Sequence, residues 1–408
     1  MIRRSCLRAS LGALTALAAC QSHPDSAATA DQTAAPTKAT VPAPVPASAD
    51  SAGTWYRTYR AALGPGDSIT LHLQRWPQLL GADSRGHFFG SYSHADGEPL
   101  IVDGNTVADP DSVVLRDQSL TTLDARDQSP VWRLKWQGTE LVGTRAGRAL
   151  RLRAARPAGS LVLQSIYRLD SLAAFPQRRE PTAPYARWSL HALQTTAGPA
   201  AVDAALRRAL HGDTLDSQPA PTLDALFRAQ GQLSSKDYRR EANAALQQLP
   251  PNDAATFPAF LNYEDQRTTE VFWNQGGLLS FGVQFYGYGG GAHGNYNTSV
   301  VTLNARTGRA LRYADIFRPG VKGALQELLG RYVRRSLAQP PGTPLEKFLF
   351  VKQMPVTHNV YLTSGGAVFV YGPYEIASYA QGEVQVYVPF RALQPLLQPG
   401  LPVGAPAS

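Results

Sequence analysis

Between residues 54 and 157 the chain alternates apolar and polar residues in short runs broken by Gly, Asp and Pro, with no helical stretch of any length. Ile69, Leu71 and Leu73 alternate with Thr70, His72 and Gln74, and Phe88, Gly90 and Tyr92 follow. Trp132, Leu134 and Trp136 alternate with Arg133 and Lys135, and Leu150 and Leu152 close the series. A period of two sends successive side chains to opposite faces, so every run carries one face that must find a core. Strands spaced by roughly 8–12 residues with turn residues between them predict a meander, closed into a small barrel or curved into a half-barrel. Asp96-Gly97, Asp103-Gly104 and Gln137-Gly138 are the expected hairpin turns.

From 158 to 408 both periods occur. A strand is expected over 161–169, then helices around 200–211, 222–232 and 235–249, the last opening on the capping pattern Ser234-Ser235-Lys236-Asp237. In LLSFGVQFY, Leu279, Phe281, Val283 and Phe285 share one face and Ser280, Gly282, Gln284 and Tyr286 the other, which predicts a strand with one buried face. A Gly-rich loop (286–297), a partner strand, a Thr307-Gly308 turn and a helix over 320–338 come next. A second helix is expected to open at Thr343-Pro344-Leu345-Glu346, followed by a hairpin, a loop (372–382) and a last strand. The chain therefore reads as α+β: a small all-β module over 54–157, then an α+β domain over 158–408 with a mainly antiparallel sheet. The first module also resembles the small lipocalin-like barrels of secreted bacterial proteins, which implies either a bound apolar ligand or a barrel packed through by its own side chains.

The N-terminus sets the expected compartment. Arg3, Arg4 and Arg8 precede a short apolar run that ends in Leu17-Ala18-Ala19-Cys20, a match to the bacterial lipobox, so residues 1–20 read as a lipoprotein signal and Cys20 as the lipidated residue. Residues 21–53 contain no aromatic, Leu or Ile and are rich in Ala, Pro, Ser and Thr, the composition of a disordered linker. The expectation is a protein anchored to the membrane by N-terminal lipid in the bacterial cell envelope, facing periplasm or exterior. In a diderm host Gln21 directs it to the outer membrane.

Composition narrows the chemistry. The 39 Lys+Arg against 31 Asp+Glu give +8, which falls to +5 once Arg3, Arg4 and Arg8 leave with the signal, and no nucleic-acid partner is expected from so small an excess. Two cysteines exclude disulfide frameworks, zinc ribbons and iron–sulfur clusters. Since Cys6 belongs to the signal and Cys20 carries lipid, thiol catalysis is excluded as well. HExxH, Ser-x-x-Lys and Gly-x-Ser-x-Gly do not occur, and no cofactor, metal or catalytic residue is assigned. Gly289-x-Gly291-x-x-Gly294 matches the dinucleotide fingerprint in form, but the strand-like NYNTSVVTLN follows where that fingerprint needs a helix.

Two loops concentrate the candidate binding residues. Tyr286, Tyr288 and Tyr296 flank the glycines around His293, and Tyr374 and Tyr379 flank Glu375. Tyrosine offers a rigid amphipathic surface for protein contacts and for stacking on sugars. His293 would act catalytically only with a partner, for which Glu375 and Asp315 are the candidates, or it could simply fix its own loop.

These two motifs, Tyr-x-Gly-Gly-x-His-Gly and Tyr-Glu-Ile-x-x-Tyr-Ala-x-Gly, within about 185–397, resemble the domain shared by RsiV-type anti-sigma factors and PdaC-type peptidoglycan deacetylases. The resemblance implies an extracytoplasmic domain that binds lysozyme in RsiV-type proteins and sits beside a separate deacetylase domain in PdaC-type proteins. No companion signalling segment or metal-binding deacetylase motif is found in the sequence. The leading expectation is therefore a non-enzymatic envelope lipoprotein that binds an extracytoplasmic partner, most concretely a lysozyme-type muramidase. A peptidoglycan- or polysaccharide-binding module and a hydrolase using His293 and Glu375 are the alternatives.

Overall fold

The alternating runs of the first module close on themselves. The computed structural model describes residues 53–77, 86–106, 109, 111–118, 129–177, 183–212, 219–248 and 259–401; the expected signal, Cys20 and the linker up to residue 52 lie outside them. Contacts divide the chain into Met1–Val45 and Pro46–Ser408, and the described residues belong to the second unit.

Strands β1 (Trp55–Gly64), β2 (Asp67–Trp76), β3 (His87–Ser93), β4 (Pro99–Thr106), β5 (Ser112–Asp117), β6 (Val131–Gln137), β7 (Glu140–Arg145) and β8 (Arg148–Ala154) pair in sequence order as a closed barrel. β8 returns to β1, with Tyr59 opposite Ala154 and Arg60 opposite Arg153. Full closure removes both sheet edges, which a half-barrel would leave open. Inside, Tyr59, Leu71, Leu73, Val102, Leu115, Trp132 and Leu152 are all buried in one cluster, so the interior is packed by the barrel's own side chains. Burying a ring such as Trp132 contributes roughly 4–6 kcal/mol at about 25 cal/mol per Å². Gly97 and Gly138 take positive φ in their turns as expected. Asp103-Gly104, expected as a turn, lies inside β4: a Cβ at Gly104 would overlap Val114 O of β5, so this glycine serves close strand approach.

The second region is built on a five-stranded sheet of β9 (Leu163–Ala173), β10 (Tyr185–Thr195), β11 (Tyr263–Gln275), β12 (Leu278–Tyr288) and β13 (Asn295–Asn304), ordered β13-β12-β11-β10-β9. Its pairs are antiparallel except β10 with β11. A parallel pair needs a long crossover, and α1 (Ala200–His211), α2 (Leu223–Ser235) and α3 (Tyr238–Gln247) occupy that connection. α1 and α2 cover one face, where Val202, Leu206 and Leu226 meet Leu190, Val271, Leu279, Phe281 and Val283. The chain then passes α4 (Tyr313–Ile316) and α5 (Lys322–Ser336) to a three-stranded sheet of β14 (Val360–Leu362), β15 (Gly366–Tyr371) and β16 (Val384–Pro389), which α6 (Phe390–Leu393) follows. Leu325, Leu328, Leu329 and Val333 recur at helical spacing along α5 and bury against this small sheet.

Three local expectations are corrected. β12 is buried on both faces over 278–283, because the small sheet covers the face opposite the helices: Ser280 Oγ donates to Leu362 O at 2.5 Å. Ser234 and Ser235 end α2 instead of capping a new helix; Ser235 Oγ donates back to Gly231 O at 2.6 Å, and α3 starts after Asp237 in the left-handed region with no side-chain cap. The motif at Thr343 opens a single 3₁₀ turn, Leu345–Lys347, since Leu345 and Leu349 turn into the core and Phe350 N–H bonds Ile376 O at 2.8 Å.

Two amide side chains stand in for missing strand neighbours. β10 pairs with β11 as far as Thr268, and just beyond it Gln74 of β2 donates through Nε2 to Thr269 O (2.8 Å) and accepts through Oε1 from Val271 N–H (2.6 Å). Asn274 Nδ2 extends this seam by donating to Tyr56 OH at 3.1 Å and to Leu161 O at 2.9 Å. His72, buried in the seam, is pushed down to about 3 by desolvation and is therefore neutral. At the far edge Asn359 accepts from Val300 N–H (2.8 Å) and donates to Thr298 O (2.7 Å), covering β13.

Candidate functional site

Every second residue of β11 after Asp265, namely Gln266, Thr268 and Glu270, points away from the helices, and on β12 Gln284 and Tyr286 share that side. The barrel stands opposite with Trp76, His87, Phe89 and Asp103, and the small sheet closes the third side with Val368, Gln385 and Tyr387. Between these three walls lies a cleft of about 750 Å³. The barrel wall is held to β11 by the Gln74 bonds and by Asn274, which reaches Tyr56 of β1.

Four carboxyl groups line the cleft: Glu98, Asp103, Glu270 and Glu383. Glu98 is paired with Arg335 at 2.8 Å, and Asp103 lies 3.4 Å from His87 Nε2. Glu383 accepts from Thr298 N–H at 2.6 Å. Glu270 is 7% exposed, and no hydrogen bond or ion pair joins its carboxyl to any other described residue. Burial raises the pKa of all four. Glu383 is pushed up to about 7. Glu270 goes well above the usual carboxylate range, through desolvation first and then the charges of Glu383 and Asp103. Among the described lining residues there is no lysine or arginine.

The sequence-predicted residues gather at one end of this cleft. Tyr286 and Tyr296 are directly paired across β12 and β13, and both line it. Gly290 and Gly291 take positive φ, which accounts for the glycine run, and Tyr288 OH donates to Gly291 O at 2.9 Å to hold the loop. The loop over 372–382 folds onto this one. His293 stacks on Tyr379 with ring centroids 3.9 Å apart, Tyr296 meets Tyr379 edge-on at 5.9 Å, and Tyr379 OH donates to Gly294 O at 2.7 Å. Tyr374 is 56% exposed at the loop apex, in the left-handed region at φ 66°.

His293 and Glu375 do not form a pair. His293 Nδ1 donates to Gly294 O at 2.8 Å, and Nε2 lies 3.5 Å from the Tyr374 hydroxyl. Glu375 accepts from Gly372 N–H at 3.0 Å and so closes its own turn. Asp315, the other candidate, accepts from Arg312 N–H at 2.8 Å at the start of α4 and pairs with Arg309. The geometry of His293 is that of a residue fixing its loop. Glu270, Glu383, Asp103 and Glu98 were missed by sequence reasoning. Glu383 follows the second motif directly, and Gln266, Thr268 and Glu270 form a polar alternation that a strand reading of β11 would have singled out.

Residues 314–391 match the family model DUF3298, described as a protein of unknown function. That span holds Tyr374, Glu375, Tyr379 and Glu383, whereas His293 and its loop precede it. Among solved structures the chain is similar to a DUF3298 family member from Bacteroides fragilis, at 21% identity over 60% of this chain and 96% of that one, with a TM-score of 0.49. It is also similar to a DUF3298 family protein from Pseudomonas aeruginosa, at 19% identity over 58% and 95%, with a TM-score of 0.41. No curated protein matches it.

Proposed function

We propose that this protein is a lipid-tethered envelope protein that binds wall glycan in the cleft, a reading supported by the match of residues 314–391 to DUF3298, the domain of RsiV and PdaC type. The observation that carries this reading is the cleft itself. Its volume of about 750 Å³ falls within the roughly 300–1,000 Å³ of small-ligand sites, so it admits a chain segment but not a folded domain. Gln118, Gln266, Gln284 and Gln385 offer paired donors and acceptors of the kind that vicinal hydroxyls require. Tyr286 and Tyr296 line the cleft side by side, with rings onto which the C–H face of a sugar can stack. In this reading Cys20 supplies the anchor and the residues after it the reach.

A lysozyme-type partner is the second reading, favoured by Tyr374, whose large aromatic ring is exposed beside Tyr379 at the loop apex, a residue type enriched at protein hot spots. The test is co-sedimentation of the mature chain with insoluble peptidoglycan beside capture on immobilised lysozyme, for the wild type and Tyr296→Ala. Glycan binding that falls with Tyr296→Ala supports the first reading. Lysozyme capture without glycan binding supports the second, and the absence of both overturns the two together.

A further inference from the structure

We infer that the floor of the cleft is a receptor for a protonated amine, with Glu270 as its counter-charge, and that the ligand is an amino-sugar oligomer carrying free amino groups. The inference deepens the glycan reading and rests on it. Its first support is that Glu270 is the one cleft carboxyl without a partner: Glu98 has Arg335, Asp103 has His87 and Glu383 has Thr298 N–H. A buried carboxyl left unpaired costs free energy that a native fold rarely tolerates unless a ligand completes the site. Gly282, directly opposite Glu270 on β12, adds no side chain there that could supply a partner.

The second support is the sign of the lining. In a chain with 39 Lys+Arg, none of the described residues lining the cleft is basic apart from His87. Among the described residues no three His, Cys, Asp or Glu groups are placed to hold a metal ion. An ammonium on a ring fits the rest of the cleft as well. Its hydrogens suit the acceptors of Glu270, while the amides of Gln266 and Gln284 on the same face serve neighbouring hydroxyls. Tyr167, also in the lining, adds an aromatic ring that favours a cation further.

Glu270 has Glu383, Asp103 and the Tyr361 hydroxyl as neighbours, and burial first, then the charges of Glu383 and Asp103, raise its pKa well above the usual carboxylate range. An arriving ammonium provides the missing positive charge and favours the carboxylate.

The experiment compares two probes, the glucosamine tetramer with free amines and the N-acetylglucosamine tetramer, titrated into the mature chain at pH 6 by calorimetry. Wild type should prefer the free-amine oligomer by roughly 10- to 100-fold, the span of a charge-assisted hydrogen bond. Glu270→Gln should abolish that preference while keeping its affinity for the N-acetylated oligomer, which also certifies that the variant is folded. Equal binding of both oligomers by wild type overturns the inference and leaves the glycan reading standing, without recourse to any variant. A preference that survives Glu270→Gln overturns it too. Binding of neither oligomer overturns the inference together with the reading on which it rests.

Discussion

Replacing Gln74 by alanine removes both halves of an amide that holds the barrel against β11. Gln74 is 1% exposed, and its two bonds, 2.8 Å to Thr269 O and 2.6 Å from Val271 N–H, connect residues nearly 200 positions apart. Gln74→Ala leaves one carbonyl and one N–H buried without partners. Each such orphan costs about 1–3 kcal/mol, so the loss should be about 4 kcal/mol, large against a typical total of roughly 5–15 kcal/mol. Gln74→Glu refines the argument. A protonated glutamic acid still offers one donor and one acceptor, whereas the carboxylate offers acceptors alone and sets an anion against Thr269 O. Its folded pKa should therefore be raised, so stability is present at low pH and is lost as pH rises through that value. Urea titrations followed by tryptophan fluorescence give the midpoints, and hydrogen exchange on the peptide containing Val271 reports the seam directly. A midpoint within error of wild type, with the Val271 amide still protected, would refute the claim that this side chain replaces a strand.

Three further outcomes follow from other parts of the unit. Glu383→Gln keeps an acceptor for Thr298 N–H but removes a carboxyl whose pKa is raised from 4.5 to about 7; since a raised carboxyl loses stability as pH rises through its folded value, the variant's unfolding free energy from urea titration should exceed wild type at pH 8 by at most about 3 kcal/mol and match it at pH 4.5. Tyr374→Gly relieves a left-handed tyrosine but frees the unfolded chain, effects of about 1 kcal/mol each that offset; stability should stay near wild type, and under the lysozyme reading capture on immobilised lysozyme should drop severalfold. Gly365→Ala would drive a Cβ into Asp96 O where the barrel turn rests on the β14–β15 connection, and because that obstacle is backbone and the Tyr387 hydroxyl crowds the same space the loss should be about 3 kcal/mol or more by thermal denaturation.

The parts of this fold that can be read from the sequence are those whose partners lie close along it. Each barrel strand pairs with its sequence neighbour, so period-two runs and glycine turns contain nearly all the information, and α5 declares itself by Leu325, Leu328, Leu329 and Val333. The misreadings share a cause: the deciding contact comes from a distant segment. Gly104 looks like a turn until β5 is laid beside it, and the polar face of β12 looks solvated until Leu362, about 80 residues later, covers Ser280. The candidate site divides in the same way. Its rim was legible because two loops carry dense tyrosine and glycine motifs, and the fold brings His293, Tyr296, Tyr374 and Tyr379 together. Its floor was not, because Glu98, Asp103, Glu270 and Glu383 come from separate segments, and each alone looks like any solvated acid. Net charge misleads for the same physical reason. The +8 sums over a whole surface, whereas a ligand in a desolvated cleft interacts mainly with the groups that line it. The described lining holds four carboxyl groups and no lysine or arginine, the reverse of the balance in the chain as a whole.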